Sequence, residues 1–128
     1  MREPTWPASE AILAIHGELL QRFGGLAGVR DEGLLDSAIN RPLHSFAYGN
    51  PTLYDLAAEY AVGIVKNHPF LDGNKRAGFM AAYSFLGING KEFTAPETEV
   101  VLQTLALAAG EIGKNEYALW LKASCRKG

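Results

Sequence analysis

Apolar residues in this chain recur at intervals of three and four, in segments separated by glycine, proline and short polar turns, and that spacing predicts helices. Ile12, Leu13, Ile15, Leu19, Leu20 and Phe23 mark a first helix, with Ser9 as its candidate cap and Gly24-Gly25 as its end. Leu34, Leu35, Ala38 and Ile39 mark a second, from about Asp31 to Arg41. Pro42 is expected to stop it and to leave Leu43 to Pro51 as a loop. Thr52-Leu53-Tyr54-Asp55 fits a capping box that opens a third helix, in which Leu56, Tyr60, Ile64 and Val65 recur as far as Asn67. Pro69 argues that this helix ends beside His68.

A fourth helix is expected from Asn74 or Lys75 to about Gly87, and its Ala77, Ala81, Ala82 and Phe85 make it the expected buried centre of a bundle. Gly87-Ile88-Asn89-Gly90 reads as a turn. Thr94-Ala95-Pro96-Glu97 reads as another capped start, Val100 to Leu107 supplies that helix's apolar content, and a last helix covers Asn115 to Lys122. Strict two-residue alternation is nowhere long enough to argue for a sheet, and no repeat is visible. The pattern therefore predicts an all-α fold, a compact bundle of about six helices, as one domain over residues 1–128.

Composition changes this picture mainly by exclusion. A 128-residue chain that is 48% hydrophobic can bury a real core but leaves no room for a second one. Twelve basic residues against fourteen acidic give a formal charge of -2, so there is no surplus of cations to collect a nucleic-acid backbone, and direct nucleic-acid binding is not expected. Cys125 is the single cysteine, which rules out an intrachain disulfide and suits a reducing cytoplasm. The first residues lack a basic stretch followed by an apolar run, and no apolar segment approaches the roughly 20 residues needed to span a bilayer. The sequence thus reads as soluble, cytoplasmic and unprocessed.

The chemistry is concentrated between the third and fourth helices, where His68-Pro69-Phe70-Leu71-Asp72-Gly73-Asn74-Lys75-Arg76 combines a base, a carboxylate, a glycine, an amide and two cations. Gly73 lets backbone approach a ligand closely, and a helix opening at Asn74-Lys75-Arg76 points its positive end into the loop. Such a nest suits a phosphate, to which Lys75 would add a movable point charge and Arg76 a fork matched to phosphate oxygens. Asp72 suits a hard cation, since magnesium commonly takes one or two carboxylates together with substrate phosphates. His68 is the one side chain of the loop whose type suits proton abstraction from a hydroxyl at neutral pH. Phe70 reads as the packing anchor of the loop. Plain readings stand beside these: Gly73-Asn74 alone is a turn, Lys75-Arg76 alone a solvated pair, and His16 and His44 ordinary caps or satisfied surface groups. Only the combination in the loop is informative.

The segment His68 to Arg76 resembles the signature of the Fic/Doc family, His-x-Phe-x-Asp/Glu-Gly/Ala-Asn-Gly/Lys-Arg, with every specified position filled. Lys75 stands where the Fic branch has glycine, and Phe79 where it has a second arginine; both departures are shared with the Doc, or death-on-curing, toxins. Gly25 through Pro42 is similar to the upstream segment of Doc-like proteins. The resemblance implies a helical Doc-type fold. It further implies transfer of the ATP γ-phosphate, with magnesium, to a threonine hydroxyl of elongation factor Tu, and so arrest of translation. His68 would then be the general base and Asp72 the magnesium-linked acid. Gly73, Asn74, Lys75 and Arg76 would bind phosphate, and Lys66 would have a weaker phosphate role, or serve only as a cation at a helix end. Leu43 to Asn50 is the candidate for the family's flap, which pairs with an extended stretch of substrate, although an ordinary interhelix loop would read the same. The Ser/Thr-x-x-x-Glu-Gly/Asn string of self-restraining Fic proteins is absent, so restraint is expected from a separate Phd-like antitoxin whose tail folds on binding. The alternatives are a Fic-type transfer of AMP or another nucleotidyl group to protein hydroxyls, and a catalytically idle binding or regulatory module.

Overall fold

A computed structural model describes residues 2–127, which form six helices and one small sheet. The helices are α1 (Ser9–Phe23), α2 (Glu32–Tyr48), α3 (Leu53–Asn67), α4 (Asn74–Ile88), α5 (Glu97–Ala109) and α6 (Lys114–Ala123). The strands are β1 (Lys91–Phe93) and β2 (Cys125–Lys127). The helical architecture agrees with the sequence pattern, and the differences from it are local.

The centre of the bundle is α3, not α4. Every residue from Leu56 to Val65 is buried, because helices pack around its whole circumference. Small residues bring the neighbours in. A Cβ on Gly63 would stand 2.9 Å from that of Ala38 in α2, and one on Gly78 in α4 would stand 2.5 Å from Val65 Cγ2. Glu59 is the exception inside this apolar helix, and it is paired. Its carboxylate accepts from Arg41 Nε at 3.0 Å and from the Ser45 hydroxyl, with Lys114 Nζ at 3.8 Å, so one buried charge links α2, α3 and α6.

Pro42 does not stop α2. The helix runs through it to Tyr48 and ends at Gly49, so most of Leu43 to Asn50 is helix rather than a flap or loop. An internal proline costs roughly 3 kcal/mol in isolation. Here its ring is fully buried, and tertiary packing outweighs the lost hydrogen bond. Two expected caps also differ. Ser9 is the first helical residue and Ala8 precedes it without a capping bond, while the Thr94 hydroxyl binds Ser124 O rather than the start of α5. The Thr52–Asp55 capping box is present as read.

The sheet was invisible to the pattern because each strand has three residues. β1 and β2 pair antiparallel, with Glu92 opposite Arg126 (2.8 Å between Oε1 and Nε) and Phe93 opposite Cys125. This ties the carboxyl end of the chain beside an edge-to-face cluster of Phe79, Tyr83, Phe93 and Trp120. Cys125 therefore lies in a strand; burial raises its thiol pKa and leaves it a poor nucleophile. Among the described residues, no helix is long and apolar enough to cross a membrane.

Candidate active site

The loop between α3 and α4 is built on a second strand-like segment. Arg30 and Asp31 donate their N–H groups to Pro69 O at 2.7 and 3.1 Å, Leu71 N–H donates to Gly28 O at 3.1 Å, and Val29 pairs with Phe70. Gly28, with φ +118, supplies the backbone conformation this pairing needs.

His68 ends α3 in the left-handed region, with φ 51, and it is exposed. Arg30 holds it there by donating Nε–H to His68 O at 2.6 Å and an Nη2 proton to Asn67 O at 2.8 Å, satisfying two terminal carbonyls of α3. His68 Nδ1 lies 3.5 Å from Asn74 Nδ2. At that length the contact, in which Asn74 Nδ2 could only donate, does not fix the tautomer, and either ring nitrogen can be the one without a proton.

Phe70 is the anchor, 1% exposed. Asn74 brackets its backbone, accepting from Phe70 N–H and donating to Phe70 O, both at 3.0 Å. The side-chain amide of Asn74 is therefore spent on loop structure, which leaves its backbone N–H as its open donor. Gly73 caps α4 with φ 77 and supplies no side-chain acceptor. Among the described residues, the N–H groups of Asn74, Lys75 and Arg76 have no protein partner, and they open the helix toward the loop. Lys75 is exposed beside them, and the Arg76 guanidinium lies 4.2 Å over the ring of Phe23, which braces it while leaving N–H edges free.

Asp72 is exposed, with Oδ1 accepting from Gly73 N–H at 3.0 Å and Oδ2 from Leu26 N–H at 3.3 Å. Each oxygen keeps a lone pair. One hard, oriented carboxylate next to a helix N-terminus fits a magnesium ion that draws its other ligands from phosphate and water. Among the described residues no three His, Cys, Asp or Glu side chains gather as a metal cage. His68, Asp72, Gly73, Asn74, Lys75 and Arg76 are thus brought together at one end of the bundle. Lys66 Nζ lies 3.6 Å from where a Cβ on Gly110 would stand, at the carboxyl end of α5.

A family model described as Fic/DOC family matches residues 6–86. The chain belongs to the Fic/Doc family. Its relatives place it on the Doc side: it is 35% identical over 111 residues to "Protein kinase doc" of Escherichia phage P1, covering 85% of this chain and 86% of that protein. It is 46% identical over 76 residues to "Toxin Doc" of Mycolicibacterium smegmatis, covering 57% of this chain and 58% of that one.

Within this Fic/Doc framework, sequence reasoning passed over two residues. Arg30 stood inside the family-like segment without a role, and its use as a cap depends on a fold contact. His16 was set aside as a cap or surface histidine. It is buried and stacks on Phe70 at 3.7 Å with a 9° interplanar angle. Its spacing from Ile12 and Leu19, on the buried side of α1, was the available signal.

Proposed function

We propose that this chain is the toxin of a toxin–antitoxin module, a Doc-type protein kinase that moves the ATP γ-phosphate to a threonine hydroxyl of a translation factor, with elongation factor Tu as the first candidate. The observation that carries this reading is the open amino end of α4, where three N–H groups without a partner among the described residues, Lys75 and Arg76 lie beside the loop that carries Asp72 and His68. The name of the phage relative supports the reaction class. Lys75 and Phe79, in place of the glycine and second arginine of Fic, support phosphoryl over nucleotidyl transfer.

In this reading His68 Nε2 takes the proton of the attacking hydroxyl, the hydroxyl oxygen bonds to the γ-phosphorus, and the bond from that phosphorus to the β–γ bridging oxygen breaks, releasing ADP. Positioning and charge stabilisation do most of the work in such transfers. The α4 N–H groups, Lys75 and Arg76 neutralise the phosphate oxygens, and Gly73 leaves room for them. Asp72 would hold magnesium, which when bound supplies charge neutralisation at the phosphates. Lys66 contributes only long-range positive charge from its place beside α5. The whole chain, 1–128, acts as one Doc-like domain in the cytoplasm, restrained by a Phd-like antitoxin.

The test incubates antitoxin-free protein with magnesium, extract containing elongation factor Tu, and ATP labelled at either the γ or the α phosphate. Label entering protein from γ-labelled ATP alone, and lost with His68→Ala, is the expected result. Label from α-labelled ATP would move the chain to nucleotidyl transfer, and no label from either would leave a binding module.

A further inference from the structure

Asp72 is held by three donors, of which two come from backbone N–H groups in the surrounding loops and the third from the core of α1. That third donor is His16. Its Nε2 lies 2.7 Å from Asp72 O, and because a carbonyl oxygen only accepts, Nε2 carries the hydrogen. The same imidazole is 5% exposed, stacks on Phe70, and lies under Gly73, whose Cβ, if present, would stand 3.7 Å from His16 Nε2 and Cδ2. One ring therefore touches the loop's anchor, its carboxylate residue and the cap of α4. An apolar ring of that size would fill the space equally well, so the N–H is the feature packing does not require.

We propose that His16 is a positioning residue for phosphate transfer: its Nε2–H fixes the Asp72–Gly73 peptide, and through it aims both the Asp72 carboxylate and the amino end of α4 at one ligand. The role in transfer rests on the phosphotransferase reading above, whereas the clamp on the loop does not. Outer partners that orient a metal-binding carboxylate typically affect activity tenfold to a hundredfold. His16 touches neither hydroxyl nor phosphate in this reading and acts only through Asp72 and Gly73.

The experiment compares His16→Phe, which keeps the stack and loses the donor, with His16→Gln, which restores a side-chain N–H. Two readouts are taken on each: hydrogen exchange of the Phe70, Leu71 and Gly73 amides, each hydrogen-bonded in the loop, in the unliganded protein, and γ-phosphate transfer titrated with ATP and with magnesium. In His16→Phe the loop amides should exchange at least about tenfold faster while α3 protection is unchanged. Its kcat should fall about tenfold to a hundredfold, with a smaller change in KM for ATP and a rise in the magnesium needed for half-maximal rate. His16→Gln should recover most of both. Wild-type loop exchange and kcat in His16→Phe, or a folded His16→Gln that recovers neither, would overturn the proposal and leave His16 as core packing. If the wild type itself transfers no label, the phosphotransferase reading falls, and the exchange data still decide the clamp.

Discussion

Arg30 donates its Nε–H to the carbonyl oxygen of His68 at 2.6 Å, so the residue read as the base is fixed through its backbone while its ring stays exposed. The chain conformation at His68 is set by two neighbours, Arg30 on its carbonyl and Pro69 after it. The imidazole is left open to solvent. The arrangement has a cost, because a non-glycine residue is held at φ 51.

That cost yields a prediction with opposite signs for stability and activity. His68→Gly removes the left-handed penalty and should stabilise the fold by about 1 kcal/mol, since glycine is the preferred residue at such a helix end. His68→Ala keeps the penalty and should leave stability nearly unchanged. Both should abolish transfer to protein. Urea midpoints of the two variants, read beside label incorporation, check this; a less stable His68→Gly would show that the ring itself packs.

Asn74→Ala should be the most damaging change in the loop. It leaves the buried N–H and C=O of Phe70 without partners, at about 1 to 3 kcal/mol for each unsatisfied group. Asn74→Asp keeps an acceptor for Phe70 N–H but loses the donor to Phe70 O, and should fall between Asn74→Ala and wild type. Denaturant titration ranks the three. Equal stability of wild type and Asn74→Ala would show that water or another side chain replaces the amide.

Gly24 and Gly25 make a controlled pair. Both have positive φ, 78 and 121, so alanine at either is strained by about 1 to 3 kcal/mol. A Cβ on Gly24 meets nothing within 4 Å, whereas one on Gly25 would stand 2.9 Å from Asp72 Oδ2. Gly25→Ala should lose at least as much stability as Gly24→Ala, because its Cβ also meets Leu20 Cδ2 at 3.1 Å. Only Gly25→Ala should also displace the Asp72 carboxylate and reduce phosphate transfer by about tenfold or more. Equal activity of the two would mean that Asp72 moves aside without consequence.

The helices were legible because their apolar periodicity is a local signal, and Thr52–Asp55 because a capping box is written in adjacent residues. Pro42 misled because burial in α2 offsets a local rule, and no neighbouring residue reports that burial. α3 was not recognised as the centre because its Ala and Gly positions look unremarkable until α2 and α4 are packed against them. β1 and β2 are too short to show a period and are defined by pairing across more than thirty residues of sequence, as in Glu92 with Arg126. In the site, the residues from His68 to Arg76 were legible as one dense string. Arg30 and His16 were not, since each reaches the loop only through the fold, over sequence separations of 38 and 56.

The two most buried tyrosines both weaken the fold at alkaline pH, and they do so differently. Tyr60 Oη is buried with no hydrogen-bond partner among the described residues, and burial raises its pKa strongly. Burial pushes Tyr117 up to about 12, although its hydrogen bond with Thr104, 3.0 Å between the oxygens, pulls the other way. In the unfolded chain both titrate near 10. Above that pH the unfolded state releases protons that the folded state retains, so stability is full below about pH 10 and falls as pH rises toward the folded values, by up to about 1.4 kcal/mol per pH unit for each tyrosine. Tyr60→Phe removes one of these contributions together with an orphan hydroxyl. It should match or exceed wild-type stability at pH 7, by up to about 1 kcal/mol, and lose less between pH 7 and 10.5. Tyr117→Phe flattens the same limb but strands the Thr104 hydroxyl, and should cost about 1 kcal/mol at pH 7. Urea midpoints of the three proteins at the two pH values separate these effects. A Tyr60→Phe variant clearly less stable than wild type at pH 7 would show that its hydroxyl has a bound water as partner.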